Sequence, residues 1–293
     1  MKPDQINNRS NGAKSVALET TLLAHGVPSD TALPLSNKLD EIVRAQGADP
    51  SVIGVINGTP TAGLTDDELQ MLLDAPEVPK VNTANLGVIM QRGSHGATTV
   101  STTMEIASAA GIAVFATGGI GGVHRGYGKR LDISADLTAL SRFPVAVVTS
   151  GVKSLLDVTS TREALETLGV PVVGFQTDSF PAFYIRDSGS GVDARIDDPD
   201  ELAAFVRFEL NRTGRGIVIA NPVPEADEIP ETRFKVWLDQ ATREADEQGI
   251  AGRDVTPFAL SRLHELSGGE TLRSNLALVK SNAHVAAQIA SRF

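Results

Sequence analysis

The chain has 293 residues, 41% of them hydrophobic and 21% charged, with a formal net charge of -10 and a pI near 5.0. That balance suits a globular α/β protein and excludes a broad nucleic-acid surface, because duplex binding needs clustered Lys and Arg to release counterions. With no cysteine, disulfides, thiolate metal sites and a Cys nucleophile are excluded, and any metal must sit on oxygen or imidazole.

Residues 1–14 are rich in Asn, Ser and Gly and read as a polar N-terminal tail or an early cap. They lack the apolar core of a secretory signal, and no apolar run approaches membrane-spanning length, so a cytoplasmic protein with no membrane partner is expected. From Ser15 onward, short β-branched runs alternate with helix-like stretches: SVAL, SVIGVI, AVFAT, VAVVTS, PVVGF and GIVIAN. Such continuous runs fit strands buried on both faces. They predict an α/β fold of three α/β/α layers around a mostly parallel central sheet. Helical apolar spacing predicts helices over Thr31–Gln46, Asp66–Asp74, Ser101–Ala110, Thr161–Leu168, Asp198–Asn211, Glu231–Gln248 and Thr271–Ile289. Gly47, Gly111 and Gly169 stand where C-terminal caps belong. With no repeat and no Pro- or Ser/Gly-rich linker, residues 15–293 read as one domain. The polar stretch from Asp187 to Asp200 is the best loop, either a surface connection or a lid.

In parallel sheets ligands bind where strands end, so polar residues just after buried runs carry the chemical reading. Glu19 follows VAL and opens ETTLLAHG, a salt bridge or cap on one reading and a general acid or base on the other. The loop ATGGIGGVHRGYGKRLDISADL follows AVFAT. Its glycines would let backbone amides approach an anion, although its spacing fits neither a Walker loop nor a dinucleotide fingerprint. Asp132 and Asp136 flank Ser134 in that stretch, as capping residues or, for Asp132, as an oxygen ligand for Mg²⁺ or Mn²⁺. Lys153, in TSGVKSLLD after VAVV, is either a solvated lysine or an amine placed to attack a carbonyl carbon. Lys80, in VPKVNTANLG ahead of a helix capped by Asn82 or Thr83, is a surface lysine or a phosphate contact. No HExxH and no GxSxG occurs, which argues against a zinc hydrolase and an esterase elbow.

Taken together, ALETTLLAHGVP, KVNTANL, GATTVSTTM, FATGGIGGVHRG, DISADL, SGVKSLLD, GFQTDSFPAFY, ANPVPE and TPFALSRL resemble the blocks of the pseudouridine-5'-phosphate glycosidases, also called indigoidine synthase A-like proteins. The blocks run in order over nearly the whole chain. The resemblance implies reversible cleavage of pseudouridine 5'-phosphate to uracil and ribose 5-phosphate by a homotrimer with Mn²⁺, other divalent ions such as Mg²⁺ being possible substitutes. By motif it makes Lys153 the covalent nucleophile forming a Schiff base, Glu19 the proton donor and Asp132 the metal ligand. Lys80, Val100, Ser134, Ala135 and Asp136 match substrate-contacting positions, and Asn275 is a further contact for the phosphate end. Thr20 stands where the family more often has serine, and Ser281-Asn282 where an Asn pair is usual. Two other readings stay open: a Schiff-base lyase or aldolase on another sugar phosphate, and a non-catalytic sugar-phosphate-binding accessory protein.

Overall fold

A computed structural model describes residues 1–128, 131–250 and 255–293; Lys129 and Arg130 of the glycine loop lie outside the described residues. In chain order, β1 (Asn7–Asn8) and β2 (Ser15–Glu19) lead into α1 (Thr20–His25) and α2 (Ser29–Ala45). Next come β3 (Asp49–Ile56), β4 (Thr59–Ala62), α3 (Asp66–Asp74), β5 (Lys80–Val81), α4 (Leu86–Arg92), β6 (Ala97–Thr98) and α5 (Val100–Ala109). The middle of the chain holds β7 (Val114–Ala116), β8 (Val123–His124), α6 (Ala135–Leu140), β9 (Ala146–Thr149), β10 (Leu156–Asp157) and α7 (Val158–Thr167). The rest is β11 (Val172–Phe175), β12 (Ala194–Ile196), α8 (Pro199–Thr213), β13 (Ile217–Ala220), α9 (Glu231–Glu247), α10 (Val255–Leu266) and α11 (Glu270–Ala290).

Nine strands form the central sheet in the order β1-β4-β3-β2-β7-β9-β13-β11-β12. All neighbours are parallel except the β3–β4 hairpin. The continuous apolar runs are explained by alternation between two cores. Val16, Leu18, Val114, Ala116, Ala146, Val148, Ile217 and Ile219 pack on one face, with α2, α8 and α11. Ala17, Phe115, Val147 and Val218 pack on the other, with α5, α6 and α7. Side chains on a strand point to opposite faces in turn, so both sets are apolar only where helices cover both faces. The expected three-layer α/β/α architecture is present.

All six expected strands form, Asp66–Asp74 is found with the expected bounds, and the other helix boundaries agree to within three residues. Gly47, Gly111 and Gly169 take left-handed φ of 79°, 75° and 66° at helix ends, as caps require. Several features differ from expectation. The first residues are docked, since Asn7 and Asn8 pair with Thr61 and Ala62 at the sheet edge and Arg9 forms an ion pair with Glu68. Asn57 and Gly58, with φ of 48° and 74°, close a tight hairpin onto β4, the backbone for which an Asn-Gly pair is suited. Asn82 caps no helix. Its Oδ1 accepts from the amides of Ala84 and Asn85 in a local turn, and α4 starts only at Leu86. Within the polar stretch after Asp187, Ala194–Ile196 adds an edge strand against β11, so that stretch is a partly paired connection.

Candidate active site

The chain leaves β2 toward β3 and β4 on one side and returns through β7 toward β9 and β13 on the other. The carboxyl ends of β2 and β7 therefore flank a point where the winding reverses, the place where parallel sheets open a crevice. Glu19 ends β2 there, and Thr117 follows β7. Glu19 is only 5% exposed, and its Oε1 accepts a hydrogen bond from the Thr117 hydroxyl at 2.5 Å. Burial raises the Glu19 carboxyl above its ordinary pKa; the nearby charge of Lys153 and the Thr117 hydrogen bond oppose this, Asp136 adds to it, and Lys80 opposes it more weakly. The result is a carboxyl biased toward its protonated form, with two lysines in electrostatic reach.

Lys153 follows β9 through a turn that only glycine allows. Gly151 has φ of 76°, and a Cβ there would lie 1.7 Å from the Pro181 carbonyl oxygen. The turn is pinned by the Ile120 amide donating to the Gly151 carbonyl at 3.0 Å and the Lys153 amide donating to the Ile120 carbonyl at 3.1 Å. Lys80 arrives on a separate two-stranded ladder of β5 and β6. The Thr20 hydroxyl ties that ladder to the sheet, donating to the Ile53 carbonyl at 2.9 Å and accepting from the Thr98 amide at 2.9 Å. The serine-to-threonine departure at this position therefore preserves the one atom the site uses.

Two adjoining hollows share Thr21, Lys80 and Lys153. The inner, narrower one also meets Glu19, His25, Thr117, Phe183 and Asn275. The outer one, about 280 Å³, is bounded by Thr99, His124, Asp132, Ser134, Ala135 and Asp136. A larger hollow of about 410 Å³ lies beyond Leu156, but neither Glu19 nor either of these lysines lines it. In the inner hollow, the Asn275 amide donates to the Gly26 carbonyl at 3.4 Å, and its Oδ1 has no partner among the described residues. Burial lowers the His25 pKa, helped by the Lys80 charge and opposed by a hydrogen bond to the Val78 backbone, so its neutral form is favoured.

The glycine loop behaves differently from an anion cradle. Asp136, 4% exposed, accepts from the Gly121 amide at 2.8 Å and from the Ser101 amide at 3.0 Å, so the anion held by the loop is the protein's own carboxylate. The glycines allow close packing as well. A Cβ on Gly119 would lie 2.6 Å from the Phe183 ring, and one on Gly121 would lie 2.2 Å from Ser134 Oγ. The Asp136 carboxylate thus clamps the loop, α5 and α6 together, and the residue also borders the outer hollow. Ser134 caps α6, its Oγ accepting from the Asp136 amide at 3.2 Å. Val100 has no exposed side chain, so anything it offers the outer hollow comes from its backbone at the start of α5.

Asp132 is half-exposed on the outer hollow, with His124 Nδ1 at 3.7 Å from its Oδ2. Among the described residues no three His, Asp or Glu side chains converge on one point. A hard divalent ion that keeps most of its waters fits a single open carboxylate of this kind, whereas an ion needing a full protein cage does not. Sequence reasoning missed Thr117, although it follows a buried apolar run just as Glu19 does.

The chain matches the family described as Indigoidine synthase A like protein over residues 6–292. It is 51% identical over 280 residues to a protein named pseudouridine-5'-phosphate glycosidase from Methylobacterium nodulans, covering 95% of this chain and 83% of that one. Its fold is similar to a crystal structure of an indigoidine synthase A-like protein from Thermotoga maritima, with a TM-score of 0.89, 37% identity and coverage of 98% and 97%. A prealnumycin C-glycosynthase crystallised in complex with ribulose 5-phosphate is similar at a TM-score of 0.88 and 35% identity, with coverage of 95% and 91%.

Proposed function

The chain belongs to the indigoidine synthase A like family, and we propose that it is a pseudouridine-5'-phosphate glycosidase, reversibly cleaving its substrate to uracil and ribose 5-phosphate. The observation that carries this reading is the pairing of Lys153 with a buried carboxyl biased toward protonation, on one hollow at the winding reversal. A carbon-carbon glycosidic bond has no nitrogen or oxygen leaving atom to protonate, so cleavage needs an electron sink at C1'. Lys153 supplies it. Its Nζ bonds to C1' as the C1'–O4' bond breaks; O4' takes the Glu19 proton, and Glu19 regains one from the Lys153 nitrogen, which loses an N–H proton on bonding. The nitrogen lone pair then forms an iminium while the C1'–C5 bond breaks toward the uracil ring, whose C5 takes a proton from Glu19. Water then hydrolyses the iminium to the free lysine and the C1' aldehyde, and the proton this releases restores Glu19. Lys80, with the hydroxyl residues Thr21, Thr99 and Ser134, borders the outer hollow, which suits the phosphate end. Asp132 would hold a divalent ion, Mn²⁺ or Mg²⁺, which when bound offsets phosphate charge and orients the substrate.

Uracil release from pseudouridine 5'-phosphate, followed by chromatography with and without chelator, tests this reading. Borohydride reduction with ribose 5-phosphate should leave an adduct on Lys153. Absence of an adduct on any lysine refutes the covalent route and favours a binding protein. The similarity to a C-glycosynthase solved with a sugar phosphate supports a second reading, the same lysine chemistry on another sugar-phosphate substrate. Turnover of such a substrate with inertness toward pseudouridine 5'-phosphate would select it.

The same reading makes the protein a cytoplasmic homotrimer; no described helix is long and apolar enough to cross a membrane. Exposed Tyr127, Leu131 and Ile133, on the loop that carries Asp132, support a subunit contact beside the site. A monomeric mass by light scattering at assay concentration would remove the trimer.

A further inference from the structure

We propose that Asn282, on α11, is a positioning residue that holds Glu19 and Lys153 in register by tying together the ends of the four central strands. This inference rests on the glycosidase reading for its kinetic consequences. Asn282 is fully buried, and its side-chain amide is occupied on both sides. Its Nδ2 donates to the Thr117 carbonyl at 2.7 Å and to Ser150 Oγ at 3.2 Å, while its Oδ1 accepts from Asn221 Nδ2 at 2.8 Å. Ser150 Oγ in turn donates to the Asn221 carbonyl at 2.9 Å.

Thr117, Ser150 and Asn221 are each the first residue after a strand: β7, β9 and β13 respectively. These three strands are neighbours, and the fourth, β2, joins through the Thr117 hydroxyl on Glu19. Three adjacent strand ends thus meet one amide brought in by α11, and the fourth is linked to it through Thr117. The two reactive side chains leave from this knot. Glu19 takes the Thr117 hydroxyl, and Lys153 is three residues beyond Ser150, on the turn already pinned to Ile120. Truncating Asn282 frees the Thr117 carbonyl and leaves Ser150 Oγ held only by the Asn221 carbonyl, so it loosens the acid and the amine at once without touching substrate.

A merely structural residue would lower stability and leave Glu19 titrating as before. A positioning residue moves that titration, because losing a donor to the carboxylate raises its pKa. The test uses the full chain carrying Asn282→Ser, with Asn221→Ala as the second variant, reaching the same amide from its other side should Asn282→Ser fail to fold. The protonated-carboxyl infrared band of Glu19, identified by its loss in Glu19→Gln, gives a midpoint without any substrate. That midpoint should rise by about half a pH unit or more in Asn282→Ser, part of what one hydrogen bond to a charged group contributes. With pseudouridine 5'-phosphate, kcat should fall about 10- to 100-fold with KM within about threefold, as expected of a small misplacement of reacting groups. Thr117→Val combined with Asn282→Ser should lose clearly less than the product of the two single losses, since both reach Glu19 through Thr117. An unmoved midpoint in a folded variant, or losses that multiply in the double variant, overturns the inference. Failure of the wild type to release uracil would instead sink the glycosidase reading and leave the infrared midpoint to decide the role of Asn282.

Discussion

Replacing Asp136 by Asn tests whether that carboxylate is a clamp or a ligand. Its two oxygens accept from the amides of Gly121 and Ser101, at 2.8 and 3.0 Å, in a nearly fully buried setting. An amide side chain keeps one acceptor and turns an NH₂ group toward the other backbone donor. The loss is then one hydrogen bond to a charged acceptor, about 1.5–3 kcal/mol, plus one stranded amide at about 1–3 kcal/mol. The Ser101 amide belongs to the first turn of α5, so the negative charge also complements the helix dipole, a further contribution of about 0.3–1 kcal/mol. Allowing for partial relaxation, Asp136→Asn should lower unfolding free energy by about 3 kcal/mol, well above the usual ~0.5 kcal/mol of a surface change. Asp132→Asn, on a half-exposed side chain, is the internal comparison and should stay within that smaller range. Urea titration followed by circular dichroism measures both. If Asp136→Asn costs no more than Asp132→Asn, the carboxylate is not bracing the glycine loop, and its place as a ligand group would have to be restored.

Lys153→Met should abolish uracil release and borohydride trapping while the circular dichroism spectrum stays that of the wild type; retained turnover would remove the lysine from the chemistry. Glu19 has a raised carboxyl pKa in the folded chain, so the native state holds its proton where the unfolded chain has lost it, and this group erodes stability as pH rises from the ordinary glutamate value through the folded one. Glu19→Gln should therefore be more stable than wild type at neutral pH, with the gain vanishing below pH ~4, under the ordinary glutamate pKa. A pH-independent difference in melting would contradict the assignment. Gly121→Ala places a Cβ 2.2 Å from Ser134 Oγ and 2.8 Å from Asp136 Oδ2. It should cost about 1–3 kcal/mol in denaturant titration and slow turnover, because the crowded groups start α6 at the outer hollow.

The sheet was readable because its central strands are buried on both sides, which leaves an unbroken apolar signature in SVAL, AVFAT, VAVVTS and GIVIAN. Glu19 and Lys153 were readable for a related reason, as polar residues set at or just beyond the ends of such runs. The Asn57-Gly58 hairpin carried a recognisable turn pair that went unread, and Pro60 is a residue untypical of the strand it leads into. Asp136 was legible only as a polar residue near a helix start. Its partners at Ser101 and Gly121 are set by tertiary packing, which a linear pattern does not contain. Asn282 was harder still, an amide within a helical stretch whose contacts lie at Thr117, Ser150 and Asn221. The glycine loop is ambiguous in sequence for a physical reason: crowding by Phe183, Ser134 and Thr161 demands missing Cβ atoms just as a bound anion would.

The position of α11 has a bearing on biosynthesis. A ribosome releases every strand of the sheet before α11, so the strand ends are made before the helix that ties them together. Chains cut ahead of Glu270 should collapse around their apolar strands and yet stay inert, a built-in delay between the birth of the scaffold and the first turnover.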